Sequence, residues 1–178
     1  MTGYDLETCP GCGARLPVSN GPIHRYLGAS AACWAIYTSL SNAGVPALTP
    51  APLNALLVDA YAVQHPGTPS DQTIQSAAVH LLALYGVLDR HEPPEKALWI
   101  RQRAVRPGYP PKHTRFNWLE PASFEGCLTV AEIVRAPAAP KRTELVGQYV
   151  LDVWSRWKKP YAETIAAWYE CYILIERV

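Results

Sequence analysis

The chain has 178 residues, 49% of them hydrophobic, and its 16 lysines and arginines nearly balance its 15 acidic side chains. This content is enough to bury a core without disulfide bonds, so we expect residues 1–178 to form one domain. A net charge of +1 with no basic stripe disfavours nucleic-acid binding. The apolar runs are shorter than the ~18 residues of a membrane-spanning helix, so no membrane association is expected.

The N-terminal segment and the cysteine content indicate where the protein works. Residues 1–10 are polar and acidic and lack the apolar region of a signal peptide, so we expect a cytoplasmic protein. Five cysteines are an odd number, which argues against a disulfide framework. The sequence therefore favours thiols used as ligands or as core side chains.

The first predicted elements are an irregular segment and two helices. Residues 1–29 are rich in Gly and Pro and lack periodicity, which predicts coil fixed by something other than a core. Residues 30–40 have helical spacing of apolar side chains behind Ser30 as N-cap, and this first helix is expected to end near residues 42–44. A second helix is predicted over residues 52–64, ended by His65-Pro66-Gly67.

The third helix has the clearest pattern in the chain. It begins with Ser70 or Asp71 as its cap, and apolar residues recur at helical spacing from Ile74 to Leu88. Beyond Pro93-Pro94, residues 95–105 are expected to add a short helix.

The C-terminal part combines a loop with a long helix. Prolines and aromatic residues over positions 106–124 predict a long ordered loop. Residues 128–134 fit a strand or a short helix capped by Thr129, and the helix is preferred. Residues 144–172 predict a final helix interrupted by a kink at Pro160. Together these elements predict a mainly α fold, with a four-helix-bundle-like core, an irregular N-terminal segment and a Pro-rich loop.

The motif Cys9-Pro10-Gly11-Cys12 followed by Gly13 is typical of a zinc knuckle, in which the turn aims amide N–H groups at two thiolates. One such pair supplies two of four tetrahedral ligands. His24 and Cys33 are the nearest candidates for the other two. If the first two helices are antiparallel neighbours, His65 lies at the same end as Cys33 and is the alternative to His24.

A structural zinc site is the leading interpretation of this set, because closed sulfur-rich sites stabilise folds more often than they catalyse reactions. A redox role for the pair is weaker, since a thioredoxin-like motif should open a helix after a strand. The substrate or partner, if there is one, does not follow from the sequence.

Polar residues on the otherwise apolar helices suggest a competing hypothesis. Asp59, His65 and His80 are candidate catalytic residues of a metal-dependent enzyme, such as a hydrolase or transferase. Its pocket would lie near Asp59 and His65 under the loop of residues 106–124. The alternative for His80 is a neutral core histidine that bonds to a neighbour such as Tyr61 or Tyr161.

The aromatic residues of the last helix allow a third hypothesis. Trp154, Trp157 and Trp168 fall on one side of this helix, which predicts core or interface positions. A protein-interaction or accessory module would present this surface to a partner.

Several motifs together resemble a bacterial family catalogued as domain of unknown function 5946. They are the knuckle, the segments at residues 21–34, 59–67 and 75–81, and the late segments at residues 116–121 and 128–130. The helix count and scattered histidines are also similar to DinB and YfiT-like metal-binding bundles, by analogy only. The resemblance implies a His-His pair in the last helix, whereas residues 154–161 of this chain contain no histidine.

Overall fold

The computed structural model describes residues 5–41, 50–106 and 115–175, and within these ranges the chain is mainly helical. A short hairpin precedes the helices, and a π-helical turn, Glu170–Leu174, follows the last one. The elements are β1 (Leu6–Thr8), β2 (Arg15–Pro17), α1 (Ala31–Ser41), α2 (Ala51–Gln64), α3 (Asp71–Leu88), α4 (Lys96–Ala104), α5 (Val130–Val134) and α6 (Ala139–Tyr169).

The N-terminal segment is partly ordered as a β-hairpin, which the sequence-based prediction of coil missed. Strands β1 and β2 are antiparallel, with Thr8 opposite Arg15. The knuckle is the turn between them, and Gly13 adopts a φ of 75° there, which favours glycine. Strands of three residues are too short to produce a period-two pattern, and this is why no strand was predicted here.

Helices α1 and α2 follow the prediction closely. The backbone N–H of Cys33 donates to Ser30 Oγ at 3.3 Å, which supports Ser30 as the N-cap of α1. The predicted end of this helix at residues 42–44 lies outside the described residues. Helix α2 ends at Gln64, one residue before His65, as the following proline requires.

The N-termini of α3 and α5 are each capped by two side chains that lie three positions apart in the sequence. Ser70 Oγ accepts from the backbone N–H of Thr73, and the two residues form a capping box. Thr129 and Glu132 form a second capping box in front of α5, which confirms the helix preferred for this segment.

The core lies where α2, α3 and α6 pack together, with α4 against α3. Trp154, Trp157 and Trp168 are all buried in it. They pack inside the protein, so the aromatic side of α6 is a core face. A four-helix-bundle-like arrangement stays a prediction.

Helix α6 is continuous across Pro160, whereas the sequence predicted an interruption. Pro160 and the preceding Lys158 and Lys159 are exposed. The proline ring therefore lies at the surface of the helix, away from the core. Among the described helices, none combines the length and the apolar character needed to cross a lipid bilayer.

The predicted loop of residues 106–124 is seen in part. Residues 107–114 lie outside the described ranges, and residues 115–124 contain neither helix nor strand.

Candidate metal centre

Three cysteines and one histidine converge at one end of the helices. Cys9 and Cys12 come from the hairpin turn, Cys33 from the first turn of α1, and His65 directly follows α2. Their donor atoms all lie within 4.8 Å of one another, and all four residues are buried. This group can hold a metal ion.

The spacing of the donor atoms matches a tetrahedral site. Cys12 Sγ lies 3.9 Å from Cys33 Sγ, and Cys33 Sγ lies 3.4 Å from His65 Nε2. In a tetrahedron with Zn–S bonds of about 2.3 Å and a Zn–N bond of about 2.0 Å, the corresponding edges are roughly 3.8 Å and 3.5 Å. These two edges of the donor group therefore have the lengths expected around a tetrahedral metal ion.

The ring of His65 is held in the tautomer that a metal ligand needs. Its Nδ1 lies 2.9 Å from the backbone carbonyl of Tyr61, and because a carbonyl only accepts, Nδ1 carries the proton. The other nitrogen, Nε2, then presents its lone pair to the sulfurs. The backbone of His65 is fixed as well, because its carbonyl accepts from the N–H of Gly28 at 2.9 Å.

Two hydrogen-bond donors face the sulfurs. The backbone N–H of Ser30 lies 3.4 Å from Cys9 Sγ, and the hydroxyl of Tyr61 donates to Cys33 Sγ at 3.6 Å. Burial and the nearby Cys33 raise the pKa of Tyr61 well above its usual range, so this hydroxyl keeps its proton. Such donors offset the negative charge of thiolate ligands.

The three thiols have very different proton affinities. Hydrogen bonds from Cys12 and Cys33 hold the pKa of Cys9 far below its usual range. The contact with Cys33 lowers the pKa of Cys12, but Cys9 and burial raise it more, to about 12. Hydrogen bonds to Cys12 and Cys9, together with burial, raise the pKa of Cys33 well above its usual range. Sulfurs this close carry three negative charges together only around a cation, which deprotonates its thiol ligands.

The structure brings His65 into the site and leaves His24 out of it. His24 contacts Trp34 and Tyr26, with ring centroids 4.9 Å and 4.5 Å away. The group that could hold a metal therefore contains His65, the alternative of the sequence analysis, in place of His24. His24 is close in sequence, but its ring is taken up by aromatic packing.

Asp59 and His80 form a separate polar cluster. Asp59 is fully buried, and its Oδ1 lies 2.7 Å from both His80 Nδ1 and Arg101 Nη1. The partner of His80 is thus Asp59, whereas the sequence suggested Tyr61 or Tyr161. Arg101 was missed because it lies 42 residues from Asp59, on another helix, and no local pattern connects them.

A cavity of about 660 Å³ adjoins the knuckle. Its wall includes Cys12 and Phe124, so the end of the predicted Pro-rich loop does border it. Asp59 and His65 do not line it. A pocket near Asp59 and His65 under this loop stays a prediction, because residues 107–114 of the loop lie outside the described ranges.

Gly11 provides a test of the close packing around the centre. A Cβ atom at this position would lie 2.5 Å from His65 Cδ2 and 2.8 Å from the Gly28 carbonyl oxygen. We expect Gly11→Ala to lower the free energy of unfolding by about 1–3 kcal/mol, the usual cost of overpacking, and to weaken metal binding because His65 must move. Urea unfolding and a metal-affinity titration measure the two effects.

Gly147 is the matched control. It lies inside α6, and a Cβ atom there would meet nothing within 4 Å. Gly147→Ala is expected to stabilise the protein by about 0.5–1 kcal/mol, because alanine is the better helix former. Equal effects of the two substitutions would contradict close packing at Gly11.

The fold and the site define a class of protein: a mainly helical protein in which a buried Cys3His group can hold a metal ion. A family model described as a family of unknown function, DUF5946, matches residues 7–158. The chain belongs to this family. No curated protein and no solved structure matches the chain, so the analogy with DinB and YfiT-like bundles stays a prediction.

Proposed function

We propose that this protein binds one zinc ion through Cys9, Cys12, Cys33 and His65, and that the metal is structural. The observation that carries the proposal is the arrangement of four buried donor atoms, all within 4.8 Å of one another. The metal joins the N-terminal hairpin to α1 and to the end of α2. It supplies the fixation that this segment needs, because short strands alone bury little surface.

The donor set favours zinc over other biological cations. Three thiolates and one imidazole suit Zn²⁺, whereas Mg²⁺ and Ca²⁺ prefer oxygen ligands. Thiols stay reduced in the cytoplasm, so a cytoplasmic location is compatible with the proposed site.

A structural role is favoured over catalysis by the number of protein ligands. Catalytic zinc sites keep a position for water, and four protein donors fill a tetrahedral shell. The enzyme hypothesis needs Asp59 or His65 as a base, but His65 faces the sulfurs and Asp59 is bonded to His80 and Arg101. The interaction-module hypothesis needs the tryptophans of α6 on an exposed surface. These side chains are buried, which disfavours that hypothesis.

The test is the metal content and coordination of the purified protein. We expect one zinc per chain, and after replacement by Co²⁺ we expect the absorption spectrum of a tetrahedral site with several thiolates. His65→Ala should change this spectrum, because water or an added ligand replaces the imidazole. His24→Ala is the control and should leave it unchanged.

Two results would refute the proposal. One is a protein that binds no zinc under reducing conditions. The other is a Co²⁺ spectrum that responds to His24→Ala and not to His65→Ala, which would place a different nitrogen at the metal.

A further inference from the structure

A second, smaller cavity is lined in part by Tyr61, whose hydroxyl donates to Cys33 Sγ. Its volume is about 110 Å³. Its wall is mostly aromatic, and the rings that matter for binding are those of His24, Tyr26, Trp34, Tyr37, Tyr61 and His80.

The aromatic rings form a connected wall. Tyr37 stacks on Tyr61 with ring centroids 3.8 Å apart, and Trp34 lies 5.3 Å from Tyr37. His24 continues the wall at 4.9 Å from Trp34. Aromatic faces carry negative electrostatic potential, so several rings around one small cavity attract a positively charged group.

One imidazole is oriented toward a ligand. The carboxylate of Asp59 can only accept, so Nδ1 of His80, 2.7 Å away, carries a proton and donates to it. The other nitrogen, Nε2, has no protein partner among the described residues, and the side chain is 18% exposed. In the neutral ring, Nε2 is a hydrogen-bond acceptor, as in an Asp–His pair where the carboxylate orients the imidazole.

One further buried atom of the cavity wall remains unsatisfied. Nδ1 of His24 is buried without a hydrogen-bond partner. Burial lowers the pKa of His24. Unpartnered buried polar atoms are rare, and a bound ligand is one explanation for them.

We propose that this cavity binds a small organic ammonium ion. The aromatic wall, with Trp34 as its largest ring, stabilises its positive charge, and His80 Nε2 accepts a hydrogen bond from its N–H group. Nδ1 of His24 belongs to the same cavity wall and is a second polar contact for the ammonium group's molecule. The volume limits the bound group to a few non-hydrogen atoms, such as a short alkylammonium or the amino end of a longer molecule. This site is independent of the proposed zinc.

The test is a titration with isopropylammonium chloride, followed by the NMR signals of the histidine rings and the tryptophan indoles. The uncharged 2-propanol has the same number of non-hydrogen atoms and is the comparison ligand, at constant ionic strength. We expect saturable ammonium binding with a dissociation constant of about 0.1–10 mM, given the limit on affinity per atom. Binding of 2-propanol should be at least about tenfold weaker, because it lacks the charge.

Variants locate the binding to this cavity. Trp34→Leu and His80→Gln should each weaken isopropylammonium binding at least about tenfold. Their controls are Trp99→Leu and His91→Asn, exposed positions outside the cavity wall, and these should bind as the wild type does. Circular dichroism and metal content show whether each variant is folded.

The proposal is overturned by any of three results. They are no saturable binding to the wild type, equal binding of 2-propanol, and wild-type affinity in either folded site variant. The first two need only the wild-type protein, so they decide the matter even if the variants do not fold.

Discussion

Replacing Cys12 by serine is expected to remove the metal and to lower the free energy of unfolding by at least about 4 kcal/mol when free zinc exceeds its dissociation constant about 1,000-fold. Cys12 is buried, and its sulfur lies 3.9 Å from that of Cys33. A hydroxyl does not replace a thiolate as a zinc ligand, so the hairpin loses its attachment to α1 and α2. Urea unfolding at a buffered zinc concentration measures the change.

Cys171→Ser is the matched control for this substitution. Cys171 is partly exposed near the C-terminal end of the chain and does not belong to the Cys3His group. Its replacement should change neither the metal content nor the stability beyond about 0.5 kcal/mol. Should the Cys12 variant fail to fold, chelation of the wild-type protein gives the same information. A midpoint of unfolding that does not change with the chelator would contradict a structural metal.

Replacing Asp59 by asparagine is expected to lower the free energy of unfolding by about 3 kcal/mol, the low end of the range for breaking a buried ion pair. Asp59 is fully buried and connects α2 to His80 on α3 and to Arg101 on α4. The asparagine keeps the shape but leaves the Arg101 charge without its partner. The Arg101 side chain is 17% exposed, so water compensates for part of the loss.

The exposed Asp5→Asn serves as the control and should change stability by less than about 0.5 kcal/mol. A double-mutant cycle with Arg101→Gln isolates the pair, and we expect a coupling energy of at least about 1 kcal/mol. If Asp59→Asn is as stable as the wild type, this cluster does not hold the three helices together. The metal content should be unchanged in either case, because Asp59 is not a member of the Cys3His group.

Most of the helices could be predicted because their signals are local. Ser70 and Thr73 cap α3 across three positions, and Thr129 caps α5 in the same way. The hairpin could not be predicted, since its strands are short and its order comes from the knuckle and from Leu16, which is buried against the core.

The candidate site was predicted in part. Cys9 and Cys12 follow from one four-residue motif, and Cys33 was the nearest remaining cysteine. The choice between His24 and His65 depended on how the helices are placed, which sequence spacing leaves open. His24 is nearer along the chain, but its ring packs against Trp34, and His65 faces the sulfurs.

The sequence by itself determined the helical character of the protein, most helix boundaries and the pair of thiols in the knuckle. Each of these depends on backbone hydrogen bonds and caps between residues a few positions apart. The tertiary structure decided which histidine joins the three cysteines and which partners Asp59 has. These contacts join residues 32 positions apart at Cys33 and His65 and 42 apart at Asp59 and Arg101. Such contacts form because whole helix faces pack to bury apolar surface, and that packing is a sum over many residues which no short motif contains.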